Sequence, residues 1–364
     1  MKIKFSDLTF INQQVKTEVM NKISSLIDES SFIDGNTTRL FEEKFAEFCG
    51  AKYCVCVNNG TSALHLALKT VKQFNTKKVA TAPNSFFATA EAISYCNADP
   101  LFVDVDFKTF NINTEILKSK ISEYDGMIPV SLYGNPCNLS EISSIAKDNN
   151  KFLIHDACQA HGAEHKGKKI AQYSDLTCFS FYPSKNLGTF GEGGAIVTDN
   201  KDLYDELYKL KQHGQKNRHD HEFVGFNYRL NEIQAAVLLI KLKYLNEWTE
   251  DRIRIANRYN LNLKNNKKIR TLKVNNDDKC VYHLYPIFTP YKKEVMELFN
   301  SNDIEYSFHY PVPIYAQKAY SYLNTNIGDF PATQVSVDQQ ISLPLYVGLS
   351  NEEIDRVCDI LNKI

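Results

Sequence analysis

The sequence lacks several features that would place it in a specialised class of protein. No apolar run approaches the ~18–20 residues that a membrane-spanning helix requires. Residues 1–16 lack the apolar core and small-residue cleavage site of a signal peptide. Lys plus Arg total 42 and Asp plus Glu total 43, so bulk charge would not attract a polyanion. We therefore expect neither a membrane span nor a nucleic-acid partner.

What is present is typical of a globular protein. Hydrophobic residues make up 43% of the chain and charged residues 23%, which disfavours disordered and fibrous classes. Single cores stop growing at ~250–300 residues, so 364 residues predict a large domain plus a smaller one. The nine cysteines lie in apolar stretches, as Cys54, Cys56 and Cys178 do, where a free thiol behaves as a small hydrophobe. This usage predicts a reducing cytoplasm.

Short β-rich runs alternate with helix-length amphipathic segments between residues 51 and 200. The predicted strands are 53–57, 78–82, 100–105, 126–132, 151–156 and 176–181. The predicted helices between them are 62–74, 87–96, 114–123 and 139–148. This alternation predicts an α/β fold with a mostly parallel sheet and helices on both faces.

The pattern changes after Gly194. A strand at 195–198 is followed by a helix at 203–212 and by a long, continuous helix at 229–264. An α+β pattern then follows, with a strand near 281–288 and helices at 292–300 and 351–364. We place the boundary near residue 250, which gives a large domain at 1–250 and a smaller C-terminal domain at 251–364.

Polar residues placed just after predicted strands are the most informative feature, because ligands bind at that edge of an open α/β sheet. The first group, residues 58–62, opens a predicted helix. Gly60 permits a tight turn, and a helix N-terminus that Thr61 and Ser62 can cap suits a phosphate. A plain capped helix would look the same. The spacing of a P-loop is absent.

Two further strand ends carry charged groups. Asp156 ends the predicted strand 151–156, where a buried carboxylate is costly unless it meets a cation. An ion pair, a helix N-cap or a protonated ring nitrogen of a cofactor would each satisfy it. Lys185 lies among aromatic and small residues after the strand 176–181 and could be an amine nucleophile with a lowered pKa, or a solvated surface lysine. A fourth segment, 225–230, reads locally as a turn leading into a helix.

Together these groups match the needs of pyridoxal phosphate. A helix N-terminus would bind the phosphate, and a carboxylate would keep the pyridine nitrogen protonated so that the ring withdraws electrons. The lysine would bind the cofactor covalently and then move protons.

The sequence resembles the sugar aminotransferases of the DegT/DnrJ/EryC1/StrS group over almost the whole chain. The motifs that carry the resemblance are Asn59-Gly60-Thr61-Ser62-Ala63-Leu64, Ser85-Phe86-Phe87-Ala88-Thr89, Asp156-Ala157-Cys158-Gln159-Ala160-His161-Gly162-Ala163 and Ser180-Phe181-Tyr182-Pro183-Ser184-Lys185-Asn186-Leu187-Gly188. The resemblance implies the α/β fold type I of pyridoxal phosphate-dependent aminotransferases, with a large cofactor-binding domain.

The same resemblance implies a role for each matching residue. Lys185 would bind the cofactor, Asp156 would pair with its ring nitrogen, Gln159 would approach its ring hydroxyl and Phe86 would stack on the ring. The phosphate would be held by Thr61, Ser62 and Ser180, and by Asn227 of the neighbouring subunit. Such a shared site implies at least a homodimer.

The opening Phe5-Ser6-Asp7-Leu8 and the run 156–162 resemble enzymes that aminate C-3 of a dTDP-linked 3-keto-6-deoxyhexose with glutamate as donor. The chain departs from that group at Tyr228, Asn231 and Tyr315, which affects the sugar rather than the reaction. Side chains that could donate hydrogen bonds to a diphosphate or cover a sugar face are Tyr182, His309, Tyr310, His219 and His221.

Other kinds of site fit the sequence less well. Cys54-x-Cys56 has no second Cys/His pair at zinc-finger spacing, so we expect no metal site. Gly191-x-Gly193-Gly194 has the wrong spacing for a dinucleotide-binding motif. The related 3-dehydratases carry histidine in place of Lys185. A C-4 aminotransferase and a non-catalytic cofactor-binding sensor on the same fold stay open.

Overall fold

The computed structural model describes residues 2–71 and 76–364. Its helices are α1 Thr9–Asp28, α2 Asn36–Cys49, α3 Gly60–Val71, α4 Ala88–Tyr95, α5 Thr114–Ser119, α6 Leu139–Asp148, α7 Lys201–Leu210, α8 Glu232–Leu242, α9 Leu245–Leu263, α10 Lys292–Ser301, α11 Pro331–Gln339 and α12 Asn351–Leu361. Its strands are β1 Tyr53–Val57, β2 Lys78–Thr81, β3 Asp99–Phe102, β4 Gly126–Ile128, β5 Phe152–Asp156, β6 Glu164–His165, β7 Lys168–Lys169, β8 Leu176–Ser180, β9 Gly194–Thr198, β10 Gln215–Asn217, β11 Asp220–His221, β12 Arg270–Thr271, β13 Tyr285–Phe288 and β14 Gln340–Leu343.

The centre of the fold is a seven-stranded sheet with the order β1-β9-β8-β5-β4-β2-β3. β9 pairs antiparallel with both of its neighbours, and the remaining pairs are parallel, so β9 alone opposes the direction of the other strands. β8 and β9 are buried along their whole length, as expected for strands covered on both faces. The predicted α/β fold with a mostly parallel sheet is confirmed.

The carboxyl ends of β1, β5 and β8 lie at one edge of this sheet. The register pairs Asp156 at the end of β5 with Cys178 in β8, and β8 ends two residues later at Ser180. β1 ends at Val57, and the chain turns directly into α3 at Gly60. The topology therefore brings three of the predicted polar strand ends together.

The long helix predicted at 229–264 is wrong. The structure has two helices, α8 and α9, separated by Lys243 and Tyr244. The backbone amides of Lys243 and Tyr244 donate hydrogen bonds to the carbonyls of Ile240 and Lys241, each three residues earlier, and this tighter turn ends α8. No glycine or proline lies at this break, and apolar residues occur on both sides of it, so the sequence pattern predicts one continuous helix.

Other boundaries shift by a few residues. β4 ends at Ile128, short of the predicted 132, because Pro129 has no amide hydrogen for a ladder. α5 ends at Ser119 rather than at 123. α3 begins at Gly60, and the predicted end of that helix at 74 lies outside the described residues. Helices α1 and α2 were not predicted.

A three-stranded antiparallel sheet, β12-β13-β14, packs with α9, α10 and α12 around a second core. Tyr259 of α9 stacks on Tyr285 of β13 at 4.8 Å, and Ile3 joins the same core beside Ile304. The boundary near residue 250 stays a prediction. Among the residues that the structure describes, none of the helices is long and apolar enough to cross a membrane.

Candidate active site

A cavity of about 650 Å³ opens at the sheet edge where β1, β5 and β8 end. Its wall also includes residues from the segment before β13 and from 309–310. The sequence-predicted residues that line it are Thr61, Phe86, Asp156, Gln159, Ser180, Tyr182, Lys185, His309 and Tyr310. The structure thus brings together residues that are up to about 250 positions apart in the chain, because the topology places three strand ends at one edge.

One end of the cavity is the N-terminus of α3. Gly60 and Thr61, the first two residues of that helix, line the wall beside Ser180. A Cβ at Gly60 would lie 2.6 Å from Cβ of Ser180, so only glycine fits there. The Ser62 amide donates to Asn59 Oδ1 at 2.7 Å, which caps the helix. The first turn of a helix and the hydroxyl-bearing residues Thr61 and Ser180 therefore line this end of the cavity, which suits an anion.

The floor of the cavity carries the carboxylate of Asp156, which is 4% exposed. Its Oδ2 accepts a hydrogen bond from Thr89 Oγ1 at 2.8 Å, and its Oδ1 accepts one from the Cys158 amide at 3.1 Å. These two bonds fix the orientation of the carboxylate. Each oxygen retains acceptor capacity for a cation in the cavity.

Lys185 lies on a tight loop after β8. Its amide donates to the Tyr182 carbonyl at 2.8 Å, and the buried Lys241 ammonium donates to the Gly188 carbonyl at 2.8 Å, so the loop is held from both sides. Burial lowers the pKa of Lys185, while nearby Cys158 and Asp156 raise it. A lysine with a lowered pKa has a larger share of nucleophilic amine near neutral pH.

Gln159 is the centre of a hydrogen-bond network. Its Oε1 accepts from the Tyr133 amide at 2.7 Å, and its Nε2 donates to the Tyr310 hydroxyl at 3.2 Å. The Tyr133 hydroxyl in turn donates to the His309 carbonyl at 2.7 Å. The ring of Phe86 lies 5.7 Å from that of Tyr310 and is more than half exposed. The network links the large sheet to segment 309–310.

These residues fit pyridoxal phosphate. The cavity combines an anion site at the α3 N-terminus, a buried and oriented carboxylate at Asp156 and an amine at Lys185 with a lowered pKa. Phe86 offers an exposed aromatic face in the same wall. A phosphate, a protonated ring nitrogen and an aldehyde are the three groups that such a set would bind.

Four predicted residues lie outside this cavity wall. Ser62 is buried in α3 behind Thr61. Asn227 Oδ1 accepts hydrogen bonds from Nε and Nη2 of Arg229 at 3.0 and 2.7 Å. His219 and His221 lie on the exposed hairpin of β10 and β11, where His221 Nδ1 is 3.0 Å from the His213 carbonyl.

Sequence reasoning missed other residues of the wall, among them Thr89, Cys158, Glu192 and His283. Thr89 and Cys158 lie inside recognised motifs, and the proximity of Cys158 to Asp156 in the chain was an available signal. His283 lies in an apolar run with no motif around it. Among the described residues, no group of three or more His, Cys, Asp or Glu is arranged to hold a metal ion.

Comparison with known proteins gives a family over nearly the whole chain. Residues 13–362 match the DegT/DnrJ/EryC1/StrS aminotransferase family. The chain is 36% identical over 362 residues to the dTDP-3-amino-3,6-dideoxy-alpha-D-galactopyranose transaminase of Aneurinibacillus thermoaerophilus, covering 99% of each chain. It is 33% identical over 362 residues to the UDP-2-acetamido-2-deoxy-3-oxo-D-glucuronate aminotransferase of Pseudomonas aeruginosa, again covering 99% of each.

A solved structure agrees with these relatives. The fold matches DesV of S. venezuelae, described as a complex with a ketimine intermediate, with a TM-score of 0.96 at 30% identity. The match covers 100% of this chain and 98% of that one. The likeness therefore extends to the whole fold, including the α1 and α2 segments that sequence patterns did not predict.

Proposed function

The chain belongs to the DegT/DnrJ/EryC1/StrS aminotransferase family, and from that premise we propose that it transfers an amino group from glutamate to C-3 of a dTDP-linked 3-keto-6-deoxyhexose. It is a pyridoxal phosphate-dependent nucleotide-sugar aminotransferase. The substrate position rests on the relatives. The Aneurinibacillus name specifies a 3-amino sugar and the Pseudomonas name a 3-oxo sugar, so both point to C-3. The higher identity favours dTDP over UDP.

The observation that carries the chemistry is the joint placement of Asp156 and Lys185 in one cavity. Bound pyridoxal phosphate supplies a protonated ring that stabilises negative charge on the carbon next to the reacting nitrogen. Asp156 would hold that ring proton at the pyridine nitrogen. Thr61 and Ser180 would bind the phosphate, and Phe86 would cover the ring face, whereas Ser62 lies outside the cavity wall.

Lys185 would move the proton that transamination requires. As a neutral amine its Nζ would take a proton from the substrate carbon bonded to the reacting nitrogen, and as an ammonium it would deliver that proton to the carbon on the other side of the nitrogen. The lowered pKa of Lys185 supports this role because it raises the fraction of neutral amine. Gln159 Nε2 would donate to the ring hydroxyl, since it lies in the wall beside Tyr310.

His309, Tyr310 and Tyr182 would contact the nucleotide sugar. Burial and the charge of Lys185 lower the pKa of His309 to about 4, so the imidazole is neutral near pH 7. Ser342 Oγ accepts from Gln340 Nε2 at 2.6 Å and lies 2.8 Å from His309 Nδ1, where it can donate its hydroxyl hydrogen. We therefore assign the ring proton to Nε2 as a hydrogen-bond donor for a diphosphate oxygen. Tyr182 is about half exposed, which leaves its ring free to cover a sugar face.

We propose further that two copies share each site in a homodimer. In the wall that the described residues form, Lys185 is the one lysine and arginine is absent, so any donors to phosphate beyond the helix N-terminus, the hydroxyls and His309 would come from outside this wall. The exposed segment that contains Asn227, His219 and His221 could supply them to a partner's cavity. Large apolar side chains are exposed on α1, on the segment that follows α1, and just after the β10–β11 hairpin, and they support a subunit interface on these surfaces. They are Phe10, Met20, Phe32, Ile33, Phe223 and Val224. Nine free thiols support a reducing cytoplasm as the compartment.

The test is an amination assay followed by mass. Glutamate is offered with dTDP-3-keto and dTDP-4-keto 6-deoxyhexoses in parallel, and with a UDP-linked 3-keto sugar as a third acceptor. We expect the product from the dTDP-3-keto sugar to exceed the others. Preference for the 4-keto compound would overturn the C-3 assignment and leave the aminotransferase class intact. Failure of glutamate to convert the bound cofactor to its amine form would favour a non-catalytic sensor.

A further inference from the structure

His283 lines the active-site cavity but has no role in the function described so far. It lies in the short segment between Val281 and β13, and its carbonyl accepts a hydrogen bond from the buried Arg252 guanidinium at 3.5 Å. The Arg252 guanidinium also donates to the Tyr282 carbonyl at 3.3 Å. Arg252 therefore fixes the backbone of His283, whose side chain lines the cavity.

The hydrogen bonds around Asn186 fix the tautomer of His283. Asn186 Nδ2 donates to the Val281 carbonyl at 2.9 Å, which assigns the amide nitrogen to that side. Asn186 Oδ1 then faces His283 Nδ1 at 3.2 Å. An amide oxygen only accepts, so Nδ1 carries the ring hydrogen and Nε2 has a bare lone pair.

The surroundings keep this imidazole neutral. Burial lowers the pKa of His283 well below its usual value, and the charges of Lys185 and Arg252, with His309 and His161, lower it further. The charge of Lys185 has a larger effect than that of Arg252, although Arg252 contacts the His283 backbone. Lys185 and His283 line the same cavity, so the lysine ammonium acts on the imidazole within one site.

Lys185 needs an acceptor once a cofactor is bound. Burial lowers the pKa of Lys185, and the nearby groups Cys158 and Asp156 raise it against that effect. Under the proposed function, Asp156 faces the ring nitrogen, so it is no longer available to the lysine. Lys185 and Asn186 are adjacent in the chain, and Asn186 holds His283 beside the same loop.

We propose that His283 Nε2 accepts a hydrogen bond from the Lys185 ammonium and so positions Nζ between its two proton transfers. His283 is a positioning residue, since it acts through Lys185 and gains no proton itself. The inference rests on the proposed function of Lys185 as the proton carrier. The segment before β13 would then contribute to proton transfer at the edge of the large sheet.

The test measures the pKa of the Lys185 amine directly. The full-length enzyme is loaded with pyridoxamine 5′-phosphate, a form in which Lys185 is a free amine, and is labelled with limiting acetic anhydride across a pH series. Mass spectrometry of the Lys185 peptide gives the titration midpoint, with the exposed Lys267 as internal reference. An acceptor stabilises the ammonium, so its loss in His283→Met should lower the midpoint by about one pH unit.

Two matched variants separate the ring nitrogens. His283→Gln places a carbonyl oxygen near the position of Nε2 and should restore the midpoint towards wild type. His283→Asn keeps a donor near Nδ1 for Asn186 but loses the Nε2 acceptor, so its midpoint should stay low. An unchanged midpoint in all three variants, or rescue by Asn and not by Gln, would overturn the proposal.

The same experiment separates this inference from the function on which it rests. Borohydride treatment of the wild-type enzyme loaded with pyridoxal phosphate should fix the cofactor to the Lys185 peptide. If it does so and the midpoints do not move, the role of His283 is wrong and the role of Lys185 stands. If the cofactor is fixed to another lysine, the proposed function is itself wrong.

Discussion

Thr89 of α4 donates a hydrogen bond to Asp156 at the end of β5, with Oγ1 and Oδ2 separated by 2.8 Å. Both side chains are buried, at 1% and 4% exposure. The bond crosses between a helix and a strand that are 67 residues apart in the chain. A buried carboxyl group whose orientation is fixed in this way is placed to face a cationic partner.

The first prediction tests that charge. Asp156→Asn keeps the shape of the side chain but removes the anion that would hold the ring proton, so the first half-reaction with glutamate should slow by about 10³–10⁴-fold, as with other mispaired catalytic groups. Stopped-flow absorbance of the bound cofactor measures this rate. Thr89→Val is the matched control, which removes one hydrogen bond but leaves the charge, and should slow the reaction by only about tenfold. Equal rates in Asp156→Asn and wild type would make Asp156 structural only.

The second prediction concerns Lys185. The purified protein should be yellow, and borohydride should fix the cofactor to the peptide that contains Lys185. Lys185→Ala should abolish both turnover and the fixation of the cofactor by borohydride, because the same amine binds the cofactor and transfers the proton. Lys52→Ala, at an exposed position, is the control and should retain both. Substantial transaminase activity in Lys185→Ala would contradict the mechanism.

Asp156 and Lys185 could be predicted from sequence because each follows an apolar strand, and the carboxyl ends of parallel strands share one sheet edge. Their meeting in one cavity follows from local patterns plus a rule of topology. His283 could not be predicted in this way. Its place depends on a hydrogen bond to Asn186, 97 residues away, and on the packing of Arg252 behind it. Neither leaves a local pattern in the sequence.

The fold shows the same division. The strand at Tyr53–Val57 and the helix at Leu139–Asp148 have the predicted bounds because their apolar spacing is regular and polar residues flank them. The break between α8 and α9 is set by tertiary packing, since Trp248 and Ile240 both join a cluster with α1. The signal for α1 was present in its buried residues Ile11, Val15 and Val19, which repeat every four positions.

The third prediction tests the shared site. When Lys185→Ala protomers are mixed with Asn227→Ala protomers under subunit exchange, partial activity should return, because one site of the heterodimer carries both lesions and the other carries none. The matched control mixes Lys185→Ala with Asp156→Asn. Both of these residues line the cavity of the same chain, so each site keeps one lesion and activity should not return. Absence of complementation in the first mixture would mean that each chain forms its site alone.

The last prediction concerns the pH dependence of stability. His161 is fully buried, and its ring packs against those of Phe179 and Phe181. Burial, together with the charge of Lys185, lowers its pKa from 6.5 to about 3. The unfolded chain therefore binds a proton below pH 6.5 that the folded protein does not, and stability is lost as the pH falls from that value towards 3.

At about 1.4 kcal/mol per pH unit, His161 alone should cost roughly 2 kcal/mol of unfolding free energy between pH 7 and pH 5. His161→Phe removes the proton site and keeps an aromatic ring between Phe179 and Phe181, so urea unfolding of this variant should lose less stability over that interval. The control is His219→Asn, at an exposed position with a backbone φ of 72° that asparagine tolerates, and its pH dependence should match wild type. If wild type and His161→Phe lose the same stability on acidification, the imidazole is protonated in the folded state. Its burial would then not set the acid sensitivity of the protein.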